Sequence, residues 1–219
     1  MPRESKADLK KRTAGIIAAL KKRYPHARTA LNHSDPLELL VATMLSAQCT
    51  DERVNLVTRE LFAKYKSAKD YAGAVQEQFE QEIKSTGFYH NKAKSIRAAA
   101  ARIVEDFGGE VPDNMEALLT LPGVARKTAN VVLGDAFGKQ EGIVVDTHVI
   151  RLTGRLKLTR FKNNQGDRIE KDLLELVPRK DWTLFAHMLI HHGRQTCTAR
   201  KPDCPGCLIN KLCPWAGKV

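Results

Sequence analysis

Apolar residues recur at helical spacing along almost the whole of this chain, and that single pattern excludes most architectures. Residues 8–24 place Leu9, Ile16, Ile17, Leu20 and Tyr24 on one face. Asp35-Pro36 reads as an N-cap with proline at the first helical position, followed by a stripe of Leu37, Leu40, Val41, Met44 and Leu45. Val54, Val57, Leu61, Phe62 and Tyr65 form another stripe. Ile96, Ala99, Ala100, Ile103, Val104 and Phe107 form a third, stopped by Gly108-Gly109. Further helices are predicted to begin near Asp113, Val124, Asp146, Gly166 and Asp181. Gly142–Val145 alone is short, apolar and β-branched; with no second strand to pair with, it reads as an extended connector. The expected fold is all-α, with about ten helices joined by short loops.

The 219 residues are enough to bury a core. Lys and Arg number 36 against 25 Asp and Glu, a net charge of +11. Such a balance argues against an acidic small-molecule enzyme and for an anionic partner. The longest apolar stretches, such as Leu39 to Leu45, fall far short of the roughly 20 residues a bilayer needs. The N-terminus, MPRESKADLKKR, is charged and no secretory run follows it, so no targeting segment or membrane partner is expected. Of five cysteines, Cys49 stands alone and the other four fall between Cys197 and Cys213. In the reducing cytoplasm expected here, metal binding is the first reading of that cluster and disulfides the weakest.

The stretch from Met115 to Phe137 carries the most chemistry. A short helix runs into Leu121-Pro122-Gly123-Val124 and a second helix follows at once. Pro122 cannot continue the first helix, and Gly123 permits backbone angles that other residues resist. Amides of Gly123, Val124 and Ala125 lie at a helix N-terminus, where they suit a phosphate. The alternative is an ordinary helical hairpin with a Pro-Gly corner. Lys127 occupies the first turn of the second helix, where the helix dipole disfavours a cation and so favours the neutral, nucleophilic amine. A solvated or phosphate-binding lysine is the competing reading. Asp146 precedes Thr147-His148 and follows an apolar run; it reads as a plain N-cap or as a carboxylate that moves protons and steadies positive charge. His148 reads as a packed or capping residue rather than a base.

Cys197, Cys204, Cys207 and Cys213 are spaced C-x6-C-x2-C-x5-C. Only Cys204 and Cys207 form the short knuckle that zinc sites use in pairs. The wider outer spacings suit the larger radius of a cubane iron–sulfur cluster, although spacing leaves zinc open. Arg200 and Lys201, between the first two cysteines, suit phosphate binding.

LPGVARKTANVVL, then VDTH, then the four cysteines resemble the endonuclease III family of DNA repair glycosylases. LLVATMLSAQCTD (residues 39–51) and GFYHNKAKSI (residues 87–96) are similar to that family as well. The resemblance implies a helix-hairpin-helix domain of about six helices over residues 29–141. It implies a second domain, from residues 1–28 and 142–219, built around a [4Fe-4S] cluster on Cys197, Cys204, Cys207 and Cys213, with a DNA groove between the two. Lys127 and Asp146 match the family's catalytic pair. Gln48 matches the residue that fills the gap left by a flipped nucleotide, and Leu121, Gly123, Val124 and Ala125 match its hairpin. Cys49 stands where alanine is usual and reads as a small packed side chain. The implied function is excision of oxidised pyrimidines from damaged double-stranded DNA by a monomeric, nucleoid-associated glycosylase and lyase. Two rivals are a monofunctional mismatch glycosylase, against which Lys127 argues, and a non-catalytic DNA-binding module with a zinc-bound tail.

Overall fold

The computed structural model describes residues 4–162 and 165–218, and every regular element among them is helical. The all-α expectation therefore holds. Eleven α-helices run in order: α1 (Lys6–Arg23), α2 (Pro36–Leu45), α3 (Asp51–Lys64), α4 (Ala68–Gly73), α5 (Gln76–Ile83), α6 (Tyr89–Phe107), α7 (Met115–Thr120), α8 (Arg126–Val131), α9 (Thr147–Arg155), α10 (Gly166–Leu176) and α11 (Trp182–Gln195). α8 continues into a π-helical turn, Val132–Ala136. No described helix is long and apolar enough to cross a membrane.

Local chemistry accounts for the boundaries. Asp35 accepts from the Glu38 amide at 2.8 Å and Pro36 opens α2. Asn114 caps α7 by accepting from Ala117 N–H at 2.9 Å. α6 ends where Gly108 adopts φ +63°, and a second backbone bond runs from Gly109 N–H to Ile103 C=O. Two helices are absent from the periodicity reading, α4 and α5. Each is too short for a stripe, yet α4 carries a reciprocal capping box between Ser67 and Asp70. α6 also starts earlier than its apolar stripe, because its first turn is polar. Gly142–Val145 forms no strand and runs as a connector, held where the buried Glu170 carboxylate accepts from Ile143 N–H at 3.2 Å.

The chain divides into two compact units. Thr29–Glu141 is one, holding α2 to α8. Here α4 and α5 pack on α6, and Tyr71 lies fully buried, stacked on Tyr65 at 4.9 Å and edge-on to Phe79 at 6.0 Å. The other unit joins Met1–Arg28 to Gly142–Val219. In it α1 packs on α10 and α11, and α9 packs on α11. Arg12 of α1 donates to the carbonyls of Leu156 and Leu212 at 2.9 and 3.1 Å, tying the first helix to the last segments. Lys21 pairs with the buried Asp181 at 2.7 Å.

Candidate active site and cysteine pocket

In the unit 29–141 the hairpin corner is made by backbone that tolerates only glycine. Gly123 has φ +78°, and a Cβ there would lie 2.7 Å from Ser95 Cβ and 3.1 Å from Met44 Cε. The corner is thus pressed against α6 and α2. Leu121 and Val124 are buried, so their side chains anchor the corner and face no ligand. Val124 N–H donates to Leu121 C=O at 3.1 Å. Among the described residues, Gly123 and Ala125 N–H make no hydrogen bond, which leaves two of the three amides without a partner. The N-cap, Ala125, supplies no side-chain cap to α8.

Lys127 is the second residue of α8 and is exposed. Its ammonium makes no hydrogen bond or ion pair among the described residues. The same unit carries Gln48, exposed in the loop after α2 with φ +54°. Cys49 beside it is half-buried and unpaired. Sequence reasoning missed Phe88, which is 64% exposed and adopts φ +49° at the start of α6. An apolar aromatic directly after Gly87, ahead of a polar helix start, is its signal.

In the other unit, Asp146 caps α9: Oδ1 accepts from Val149 N–H at 2.8 Å. Oδ2 makes no hydrogen bond among the described residues. The cap and a free carboxylate oxygen are therefore compatible in one side chain. His148 does pack: its Nδ1 meets Arg151 at 3.1 Å. A Cβ at Gly193 would come within 2.9 Å of both side chains, so that close crossing of α9 and α11 needs glycine.

The four C-terminal cysteines are unpaired thiols lining one pocket with about 400 Å³ of unfilled space, its open mouth included. Among the described residues no three His, Cys, Asp or Glu side chains group closely enough to hold a single metal ion. Four thiols on the walls of one pocket are the donor type that both a zinc ion and an iron–sulfur cluster take. Burial pushes the Cys207 thiol up, which favours the protonated form in this pocket. His192, fully buried against Cys207 Sγ at 3.4 Å, is pulled down to about 4 by the same desolvation and stays neutral.

Two arginines that the sequence reading passed over organise this pocket. Arg155 donates to Cys197 Sγ at 3.1 Å and to Thr198 C=O at 2.8 Å, and lies 4.2 Å from the centre of the Trp215 ring. Arg151 donates to Gly193 C=O at 3.0 Å and Cys197 C=O at 3.2 Å. Both project from α9, one turn apart, and couple the helix that Asp146 starts to the cysteine loop. Arg200 and Lys201 are exposed on that loop, in a turn closed by Thr198 Oγ1 donating to Lys201 C=O at 2.7 Å.

The helical fold around a Pro-Gly hairpin places this chain in a class of DNA repair protein. A family model for the HhH-GPD superfamily of base excision DNA repair proteins matches residues 41–179. Endonuclease III of Synechocystis sp. is 54% identical over 210 residues, spanning 96% of this chain and 95% of the relative. That of Bacillus subtilis is 50% identical over 190 residues, spanning 87% and 86%. A solved structure of a trapped covalent Endonuclease III–DNA intermediate superposes with a TM-score of 0.90 at 42% identity, covering 95% of this chain and 97% of that one. The chain belongs to the endonuclease III family within that superfamily.

Proposed function

We propose that this protein is a bifunctional DNA N-glycosylase and abasic-site lyase that removes oxidised pyrimidines from duplex DNA. The observation that carries this reading is Lys127, an exposed amine without an ion pair, one turn beyond a glycine-dependent corner that presents free amides. The structural relative caught covalently on DNA supports it.

A base inside a duplex is out of reach, so its nucleotide must leave the stack at a cost of a few kcal/mol. Oxidised pyrimidines have lost aromatic stacking and leave more readily. Gln48 fills the gap, and exposed Phe88 offers a ring on which a neighbouring base can stack. Gly123 and Ala125 N–H bind a backbone phosphate, and Arg200 and Lys201 add sequence-independent attraction. The neutral amine of Lys127 attacks the sugar C1′; the C1′–N bond breaks and the base leaves with its electron pair. Asp146 stabilises the developing positive sugar and carries the amine's proton toward the departing base. The nitrogen lone pair then forms C1′=N as the C1′–O4′ bond breaks, and O4′ takes up the second amine proton, which opens the ring and gives the Schiff base. A proton then leaves C2′, the C3′–O bond breaks, and the strand is cut 3′ to the site. Water hydrolyses the imine and returns Lys127.

Cys197, Cys204, Cys207 and Cys213 would hold a [4Fe-4S] cluster. When bound, it supplies cross-linking of the C-terminal segment and no electron to this reaction. Arg155 neutralises the Cys197 thiolate and Arg151 fixes its carbonyl.

The test is borohydride trapping on a panel of lesion-bearing duplexes. Wild-type protein is expected to form a covalent adduct on oxidised-pyrimidine duplexes. Lys127→Ala should form none and cut nothing, yet bind abasic-site DNA, because one charge is a small part of a +11 protein's attraction for phosphate. Normal strand cleavage by the variant would sink the assignment.

A further inference from the structure

Lys92 is a buried cation that no step above uses. It lies in the first turn of α6, only 7% exposed. Its Nζ donates to Leu45 C=O and to Thr86 C=O, each at 2.8 Å. Burial pulls its pKa down. A cation in a helix's first turn also opposes the helix dipole. A side chain placed against both tendencies needs a structural reason.

The two acceptors supply one. Leu45 is the last residue of α2, and its carbonyl is one that a helix end leaves without an intrahelical partner. The loop after it carries Gln48. Thr86 closes a 3-10 turn, and Gly87-Phe88 follows. Each loop therefore starts from a carbonyl bound to the same nitrogen, which holds the two oxygens within about two hydrogen-bond lengths of each other. Among the described residues, Gln48, Phe88 and Lys157 are the non-glycine residues with positive φ, and two of these three lie in the loops Lys92 joins. Strained backbone of that kind persists only where the surroundings over-determine it.

We propose that Lys92 is a positioning residue: it clamps the Gln48 loop to the Phe88 loop, so that the two side chains meet the duplex at a fixed separation. This rests on the DNA-repair reading above and deepens it. Gln48 and Phe88 touch DNA; Lys92 acts through them, and its effect falls on extrusion of the nucleotide rather than on the bonds that break afterwards.

The experiment compares wild type, Lys92→Met, which removes both bonds, and Lys92→Gln, which keeps one amide donor, each characterised by a thermal melt. Single-turnover excision is measured on an oxidised-pyrimidine duplex, with 2-aminopurine beside the lesion reporting unstacking. Lyase trapping on a single-stranded abasic oligonucleotide needs no extrusion. Lys92→Met is expected to lose duplex excision and 2-aminopurine signal about 10- to 100-fold more than single-strand trapping, with Lys92→Gln between. In a Gln48→Ala/Phe88→Ala background, Lys92→Met should cost little further, since the residues it positions are gone. Should Lys92→Met not fold, Lys92→Gln carries the same comparison. Equal losses on duplex and single strand, or full additivity with the loop substitutions, would overturn the clamp. Absence of trapping by wild-type protein on either substrate would overturn the DNA-repair reading itself, a separate outcome.

Discussion

Gly123→Ala tests whether the hairpin corner depends on glycine for two separable reasons. The first is backbone: φ of +78° places an L-residue in the left-handed region, at about 1–2 kcal/mol. The second is space: the new Cβ would lie 2.7 Å from Ser95 Cβ and 3.0 Å from Ser95 Oγ. Ser95 Cβ is bonded directly to the α6 backbone, so it cannot swing aside as Ser95 Oγ or Met44 Cε can. Forcing a methyl into such a contact costs about 1–3 kcal/mol. The total of about 2–5 kcal/mol corresponds to a melting temperature lower by roughly 5–20 °C for a chain of this size. Abasic-duplex affinity should fall with it, because any shift that relieves the clash moves Gly123 and Ala125 N–H. A Ser95→Gly background separates the two causes. There the clash with α6 is gone, and Gly123→Ala should cost only the backbone part, about 1–2 kcal/mol. The measurements are thermal melts of the four proteins and titration of an abasic duplex. A Gly123→Ala protein that melts within about 1 °C of its parent and binds equally well would refute the reasoning.

Two further outcomes follow from the other unit. Asp146→Asn should melt like the parent, since asparagine caps a helix as well as aspartate, yet lose about 10²–10⁴-fold in single-turnover excision because the amide neither takes up a proton nor counters a positive sugar. Wild-type excision by that variant would reduce Asp146 to a cap. Cys207→Ser, or Cys204→Ser, should give colourless and poorly folded protein, because binding energy at such a site is also folding energy. Retained visible absorbance with an unchanged melt would remove these residues from the ligand set.

Much of this protein is legible in the sequence because its determinants are local. Helical periodicity, Asp35-Pro36 and Gly108-Gly109 mark elements through dihedral preference and capping, which act within a few residues. Lys127 and Asp146 stand out because charge at a helix start has a local physical meaning. The missed helices α4 and α5 mark the limit of periodicity, for a six- or eight-residue element shows barely two turns of a stripe. Tertiary structure alone decided which groups meet across long separations. Nothing near Lys92 in the chain announces that the Leu45 carbonyl, 47 residues earlier, accepts its hydrogen bond. Nothing near Arg155 announces Cys197 Sγ, and nothing near Gly123 announces Ser95. Those contacts bury a cation, give a cysteine sulfur a hydrogen-bond donor and forbid a methyl group. Each is a property of packed space, which helical spacing constrains only as far as the face a residue presents.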